Sequence, residues 1–347
     1  MTEEETHEQH LKRIDIPALL EELANIQSPT GEEGKVADRI SSYLVELGFR
    51  IERQPLSEHR YNLLALTEAR PAVLLSTHLD TVLPHFPFSR SNNLIRGRGV
   101  CDAKGAVASM IGAAEDLLEQ GITSFGLLFV VGEEKDSDGA RAAARLPIES
   151  EYVILGEPTE NRLAAGQKGT IVFRLRAAGK EGHSAYPELG SSAIHQLIEL
   201  LSTWQKMDWS RDEEMGANTL NIGKISGGTG ANVIAGKAEA EGIMRLATPS
   251  GPVLERMKND LPNSVDLDVV SFSEPMRLFV LDGFDRTVVS FGSDAPYLRT
   301  LGEVLMLGPG SIRYAHSAEE QVTVGELEQA KRLYIRLVKE LLSRSNG

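Results

Sequence analysis

The sequence has one cysteine, Cys101, so no intrachain disulfide can brace it, a composition that fits a reducing compartment. No stretch approaches the roughly 20 apolar residues of a membrane-spanning helix. The opening segment, MTEEETHEQHLKR, is polar and acidic, without the basic start and apolar run of a secretion signal. The expectation is a frayed tail on a cytoplasmic chain. Basic residues are the minority, 36 Lys and Arg against 50 Asp and Glu, for a formal net charge of −14. That balance disfavours nucleic acid, whose phosphates need basic patches, and docking on anionic lipid. Internal repeats and low-complexity segments are also missing.

What remains is the composition of an ordinary globular protein. A length of 347 residues predicts about two domains at roughly 100–200 residues each, and either can bury a core.

Apolar residues at helical spacing fill 34–49, where Val36, Ile40, Tyr43, Leu44 and Leu47 share a face and Gly48 ends the pattern. Short apolar runs then alternate with helical patterns. The runs are VLLST (73–77), GLLFVV (126–131), YVIL (152–155) and VLML (304–307), and the helical stretches include 104–120 and 321–343. Unbroken apolar runs of this length read as strands buried on both faces, and the alternation predicts an α/β layered domain. From about 169 the texture changes. TIVFRLRAAG alternates like a half-buried strand, 190–206 reads as a helix, strands follow at 218–225 and 236–246, then a helix near 250–260 and a strand near 265–272. This βαββαβ order predicts a small separate sheet with two helices on one face. The first pattern resumes after about 280. The expected organisation is a catalytic domain of residues 1–168 and 281–347, interrupted by an inserted domain of 169–280.

The polar clusters are not scattered. VLLST leads into His78 and Asp80, LLFVVG into Glu133-Glu134, YVILG into Glu157, and VLMLG into Pro309-Gly310-Ser311 and then His316. In open α/β sheets, sites form at the carboxyl ends of strands. Carboxylates gathered there repel one another unless a cation is bound. Two histidines with Asp and Glu, and no thiolate cluster, suit zinc or a similar divalent ion. Five ligand candidates, His78, Asp102, Glu134, Glu157 and His316, are too many for one catalytic zinc and fit two metals sharing a carboxylate. On an extended strand, residues i and i+2 point the same way, so Asp80 is expected to accept a hydrogen bond from the second ring nitrogen of His78 and fix its tautomer. Of the adjacent pair, one glutamate can ligate while the other faces the bound water as general base.

Each signal has a bland counterpart. A lone His-x-Asp is weak, and a Glu-Glu pair is usually a solvated face. Their joint placement after strands, together with GRGVCDAKGA (97–106), raises them above it. His7 and His10 read as tail residues, His59 and His85 as loop residues, His195 as part of a helix, and Cys101 as a small packed residue. SGGTGAN (226–232) lacks the Gly-Lys-Ser/Thr ending of a phosphate loop.

Together these residues resemble the acetylornithine deacetylase and succinyl-diaminopimelate desuccinylase family, which also contains aminoacylases, dipeptidases and glutamate carboxypeptidases. The matching segments are SPTGEEG (28–34), STHLDTV (76–82), GRGVCDAKG (97–105), GEEKDSDGA (132–140), LGEPT (155–159), GKEGHSAYPELGSSAI (179–194), GGTGANVIAG (227–236) and GPGSIRYAHSAEE (308–320). The resemblance implies a mixed, mostly parallel sheet flanked by helices, with an inserted ferredoxin-like α+β lid and dimerisation domain through which a homodimer forms. It implies that His78 and Glu157 hold one metal, Glu134 and His316 the other, and that Asp102 bridges them. Asp80 would orient His78, and Glu133 would be the general base. None of these seven positions departs from the family pattern. The resemblance also implies a cis peptide at Asp102–Ala103. His183 would stabilise the tetrahedral oxyanion. Asn232 and Arg245 would hold the substrate's carboxylate, Arg through its bidentate fork. Gly308, Pro309, Gly310 and Ser311, with the turn at Ser293-Asp294, would shape the floor of the substrate site.

The expected function is a two-metal amide hydrolase that removes the acyl group from an N-acyl amino acid, most like acetylornithine deacetylases of arginine or lysine biosynthesis. This includes forms that release lysine or ornithine from a carrier protein's terminal glutamate. A dipeptidase, glutamate carboxypeptidase or succinyl-diaminopimelate desuccinylase is the alternative. The expected metals are two Zn2+, with Co2+ or Mn2+ tolerated by similar ligands, and the expected partner is a small N-acyl amino acid or peptide. A non-catalytic binding protein on this scaffold predicts loss of ligands, which the intact set opposes. An unrelated α/β protein predicts that the residues do not converge in space.

Overall fold

The structure, a computed structural model, describes residues 13–345; the opening segment with His7 and His10 lies outside the described residues. The chain forms two compact units. The first comprises the described residues up to Leu163, Phe279–Asp285, and those from Ser293 on; the second comprises Ala164–Leu278 and Arg286–Gly292.

In the first unit a six-stranded sheet runs in the spatial order Arg50–Ser57, Arg60–Leu66, Phe125–Val130, Val73–His78, Tyr152–Leu155 and Glu303–Met306. The last four are parallel and are the four apolar runs of the sequence. Every residue of Val73–His78 and Phe125–Val130 is buried, as central strands covered on both faces must be. The first two strands join antiparallel. Sequence reading missed them, and Arg50–Ser57 shows why: it is an edge strand with charged, exposed residues and Pro55, the composition that discourages edge-to-edge pairing.

Helices Lys104–Glu119 and Val324–Ser345 pack on each other and on strand Val73–His78, and helix Ile16–Asn25 packs on both helices. Asp15 caps that last helix by accepting the Ala18 N–H at 3.2 Å, and Pro17 sits in its first turn, where a missing N–H costs nothing.

The second unit holds a four-stranded antiparallel sheet in the order Thr219–Gly227, Lys237–Leu246, Gly169–Ala178, Val265–Ser273. Helices Ala193–Lys206 and Ser250–Asn259 complete the βαββαβ order. Alternation divides the faces. Phe173, Leu175, Ala240 and Met244 join the helices in the core, while Arg174–Glu241 (3.2 Å), Arg176–Glu239 (3.7 Å) and Arg176–Asp268 (3.6 Å) pair on the other face. Trp204 anchors this core, edge-on to Phe173 and to Trp209, each at 5.7 Å between ring centres. Among the described residues no helix is long and apolar enough to cross a membrane.

Because Trp204 is fully buried, Trp204→Ala leaves a cavity the two helices cannot close. It is expected to destabilise by about 3–5 kcal/mol, read as a shift in the denaturant midpoint by circular dichroism. A loss under about 1 kcal/mol would contradict this account of the core.

Candidate metal centre

The four parallel strands end on one edge of the sheet, and each delivers a polar side chain there. His78 is the last residue of its strand. Glu133 and Glu134 follow Phe125–Val130, Glu157 follows Tyr152–Leu155, and His316 lies beyond Glu303–Met306. Asp102 immediately precedes the segment that starts helix Lys104–Glu119. The Asp102–Ala103 peptide is cis.

Two groups of ligand-type atoms form at this edge. His78, Asp102 and Glu157 make one, and Asp102, Glu134 and His316 the other, with the atoms of each group within 4.8 Å of one another. Asp102 belongs to both through different oxygens. Its Oδ1 lies 3.0 Å from His78 Nε2, and its Oδ2 lies 3.4 Å from His316 Nε2. His316 Nε2 is also 2.9 Å from Glu134 Oε2. Two ligands each about 2.0–2.1 Å from a tetrahedral ion stand about 3.3 Å apart, so these spacings suit a divalent cation. Glu157 Oε1 is buried without a hydrogen-bond partner, a state that disfavours a carboxylate unless a cation meets it. The residues present therefore fit two metal ions of the imidazole–carboxylate type.

Asp80 sits here differently from the sequence expectation. The strand ends at His78, so the i, i+2 rule does not reach residue 80. His78 Nδ1 lies 3.0 Å from the main-chain oxygen of Asp80 and 3.5 Å from its carboxylate. The carboxylate is engaged elsewhere. It accepts the Glu133 and Glu134 N–H groups, each at 3.1 Å, and the Thr30 hydroxyl at 2.7 Å. Asp80 thus meets His78 Nδ1 with its main-chain oxygen and, at longer range, with its carboxylate, and pins the Glu133-Glu134 turn through the same side chain.

Sequence reading missed a second brace on that turn. Arg60 donates to both oxygens of Glu33 (2.9 and 3.1 Å) and both oxygens of Asp138 (2.7 and 3.0 Å). From the same strand, Asn62 donates to the Gly139 carbonyl at 2.8 Å and accepts the Val131 N–H at 3.2 Å. Gly132 lies between these holds with φ +76°, and a Cβ there would collide with Asp138 and Arg60. The detectable signal is the spacing of Arg60 and Asn62, which puts both on one face of a strand.

The electrostatics follow from crowding. Burial pushes the Glu133 and Glu157 carboxyls well above their usual range, and neighbouring acids, Asp102 and Asp294 among them, push further. Burial opposes ionisation of Asp102 too, but hydrogen bonds from His316 and His78 outweigh it and hold its carboxyl below the ordinary value. Hydrogen bonds to Asp102 and Glu134 raise His316 to about 10. Burial works against a charged His78, and its bonds to Asp102 and Asp80 overcome that. Among the described residues no Lys or Arg pairs with Asp102, Glu133, Glu134 or Glu157. The cluster carries more acid than its own cations balance.

The other sequence candidates fall in two places. In the first unit, Cys101 is buried and donates to the Ser311 carbonyl at 3.4 Å. Gly310, at φ +77°, faces the Cys101 sulfur with no room for a Cβ. The Ser311 hydroxyl donates to Glu160 at 2.7 Å. Asp294 is 1% exposed, neither of its carboxyl oxygens has a well-formed hydrogen bond, and the Ser137 side chain offsets only part of the burial. In the second unit, His183 is exposed and its Nδ1 accepts the Ala185 N–H at 3.1 Å. The neutral ring then carries its proton on Nε2. Asn232 is exposed, and half-buried Arg245 has no carboxylate within 4.0 Å among the described residues.

Comparison with known proteins adds the lineage. The profile described as the peptidase dimerisation domain matches residues 165–261. A peptidase M20 domain-containing protein of Schizosaccharomyces pombe is 37% identical over 334 residues, covering 92% of this chain and 83% of its own. A probable carboxypeptidase of Aspergillus fumigatus is 36% identical over 378 residues, covering 93% and 86%. Among solved structures, a dinuclear metal binding peptidase from the M20 family of Bacillus subtilis shares the fold with a TM-score of 0.69 at 16% identity, covering 94% of this chain and 98% of its own.

Asp294 supplies a pH test of the crowded centre. Burial raises its carboxyl from the ordinary 3.8 to about 7. The fold therefore favours the protonated form, and that contribution is complete below about pH 4 and lost as pH rises through 7. In metal-free protein, Asp294→Asn should gain about 1–3 kcal/mol more relative to the parent at pH 8 than at pH 5, by thermal denaturation in chelator. Equal differences at both pH values would contradict the assignment.

Proposed function

The chain belongs to the M20 family of metallopeptidases, hydrolases of amide bonds, and from that premise we propose that it releases a free amino acid from an acyl group or peptide at a two-metal centre. The observation that carries the reading is the pair of ligand groups sharing Asp102, with half-buried Glu133 close enough to feel the charges of His78 and Asp102. His78 and Glu157 would hold one ion and Glu134 and His316 the other. When bound, the two divalent ions, with zinc the first expectation and cobalt or manganese tolerated, activate a water and polarise the scissile carbonyl.

The chain's own groups would do the rest. Glu133 would take the proton of the attacking water and deliver it to the leaving amine. The Asp80 carboxylate keeps that base in register through the Glu133 N–H. His183 presents Nε2–H as a donor for the oxyanion, supported by the hydrogen bond its Nδ1 accepts. Arg245, without an ion-pair partner among the described residues, and Asn232 suit the substrate's carboxylate. Gly310 and Ser311 would line the substrate floor.

The substrate reading combines two supports. The Aspergillus relative is named a probable carboxypeptidase, which favours a peptide or N-blocked amino acid with a free carboxylate. The HLDTV form and the absence of extra insertions favour an acetylornithine deacetylase-like enzyme of arginine or lysine biosynthesis. That class includes release of lysine or ornithine from a carrier's terminal glutamate. Both readings share one leaving group, an amino acid whose amine departs and whose carboxylate is free. Succinyl-diaminopimelate is a further member of the class. The lone buried Cys101 supports a reducing, cytoplasmic setting.

The family profile's description supports a homodimer through the second unit. Helix Ala193–Lys206 packs on the edge strand Thr219–Gly227, and each presents a half-exposed isoleucine, Ile198 (52%) and Ile225 (51%).

Two experiments test this reading. Glu133→Gln should lower kcat by about 10²- to 10⁴-fold with metal content unchanged, on whichever of N-acetyl-ornithine, N-acetyl-lysine, N-succinyl-diaminopimelate or blocked dipeptides is the best substrate; a variant as active as the parent removes Glu133 as the base. Ile198→Glu should convert a dimer to monomer by light scattering, and an unchanged mass excludes this face.

A further inference from the structure

Asp102 is the one residue common to both ligand groups, so its placement decides how far apart the two metals sit. The inference here rests on the metal-centre reading above. A second carboxylate, which joins neither ligand group, holds the main chain at Asp102. Glu320 is 1% exposed, and its Oε1 accepts the N–H groups of both Cys101 and Asp102, each at 3.2 Å. Its Oε2 accepts Arg98 Nη1 at 2.6 Å. Its main-chain oxygen accepts the Gly97 N–H at 3.2 Å.

Arg98 is itself fixed. It is 2% exposed, donates from Nε to the Pro84 carbonyl at 3.1 Å and from its main chain to Phe86 at 3.0 Å, and stacks its guanidinium 5.1 Å from the Phe86 ring centre. Directly after Glu320, strand Gln321–Thr323 pairs with Leu94–Arg96. Glu320 also follows His316 by four residues in the same segment. One buried side chain therefore ties the segment bearing His316 to the segment bearing Asp102.

We propose that Glu320, clamped by Arg98, is a positioning residue that sets Asp102 against His316 and so determines whether the second metal binds. Stability alone is a weak reason for this pair, because a buried ion pair is often matched or bettered by apolar residues of the same volume. Register is the better one. A carboxylate can take two adjacent main-chain N–H groups on one oxygen and a guanidinium on the other, and no apolar pair can. A carboxamide keeps the first oxygen but turns an N–H toward Arg98. Removing the arginine's charge at the same time relieves that conflict.

The test uses the full chain stripped with chelator and titrated with Co2+ alone by equilibrium dialysis. Far-ultraviolet circular dichroism checks the fold, and kcat and KM are measured on the best substrate. The parent should bind two Co2+ per chain. Glu320→Ala should bind the first as the parent does and the second about 10- to 100-fold more weakly, with kcat reduced and KM near the parent's. The double variant Arg98→Met/Glu320→Gln keeps the acceptor for both N–H groups and removes the guanidinium that the carboxamide N–H would face, so it should bind the second ion more tightly than Glu320→Ala, though short of the parent. The proposal is overturned if Glu320→Ala binds both ions as the parent does, or if the folded double variant binds the second no better than Glu320→Ala. A parent that binds fewer than two ions overturns the metal-centre reading and this inference with it.

Discussion

Crowded negative charge at one edge of a sheet is the constraint on which the rest of the structure depends. Asp80, Asp102, Glu133, Glu134 and Glu157 gather about two histidines, and Asp294 is buried near enough to feel them. Left to themselves such groups separate, or take up protons. The fold prevents the first by mounting them at the ends of strands buried on both faces, which cannot shift without opening the core. It leaves cations as the alternative to protons. A net charge of −14 therefore overstates the charge of a working enzyme, since two divalent ions would offset four units of it.

Holding acids together needs donors that do not themselves neutralise the centre, and the structure takes them largely from the main chain. Asp80 receives two backbone N–H groups from the turn that bears Glu133 and Glu134. Glu320 receives two from the turn that bears Asp102. The side-chain cations, Arg60 and Arg98, stand one layer further out and pair with Glu33, Asp138 and Glu320. The inner carboxylates stay free to ligate, while the outer ion pairs fix the loops that carry them. This arrangement gives a preorganised centre.

Much of this is legible in the residues. VLLST and its three counterparts read as buried strands because nothing polar interrupts them, and the ligands read as a site because each follows such a strand. The small α+β sheet is equally legible from the alternation in TIVFRLRAAG. The edge strand Arg50–Ser57 is not, because its charges and Pro55 erase the apolar pattern. The hydrogen bonding of Asp80 is not legible either: the i, i+2 rule presumes a strand that continues, and this one stops at His78. Arg60, Arg98 and Glu320 look like surface charges in the sequence, since the ion pairs that hold them join residues 27 to 222 positions apart. The segments that carry the family resemblance include Arg98, Asp138 and Glu320, but the resemblance gives roles only to the candidate ligands and their immediate partners. The acyl-group preference is set by residues that no motif picks out, which is why the deacetylase and carboxypeptidase readings meet on one leaving group and divide on the other side of the bond.

The central claim is that this edge holds two metal ions joined by Asp102. Its most direct test is anomalous diffraction from crystals of the cobalt-loaded chain. The account predicts two peaks about 3.5–4 Å apart, one bound by His78 and Glu157, the other by Glu134 and His316, with one Asp102 oxygen on each. A single peak, or a pair that Asp102 does not join, would contradict it.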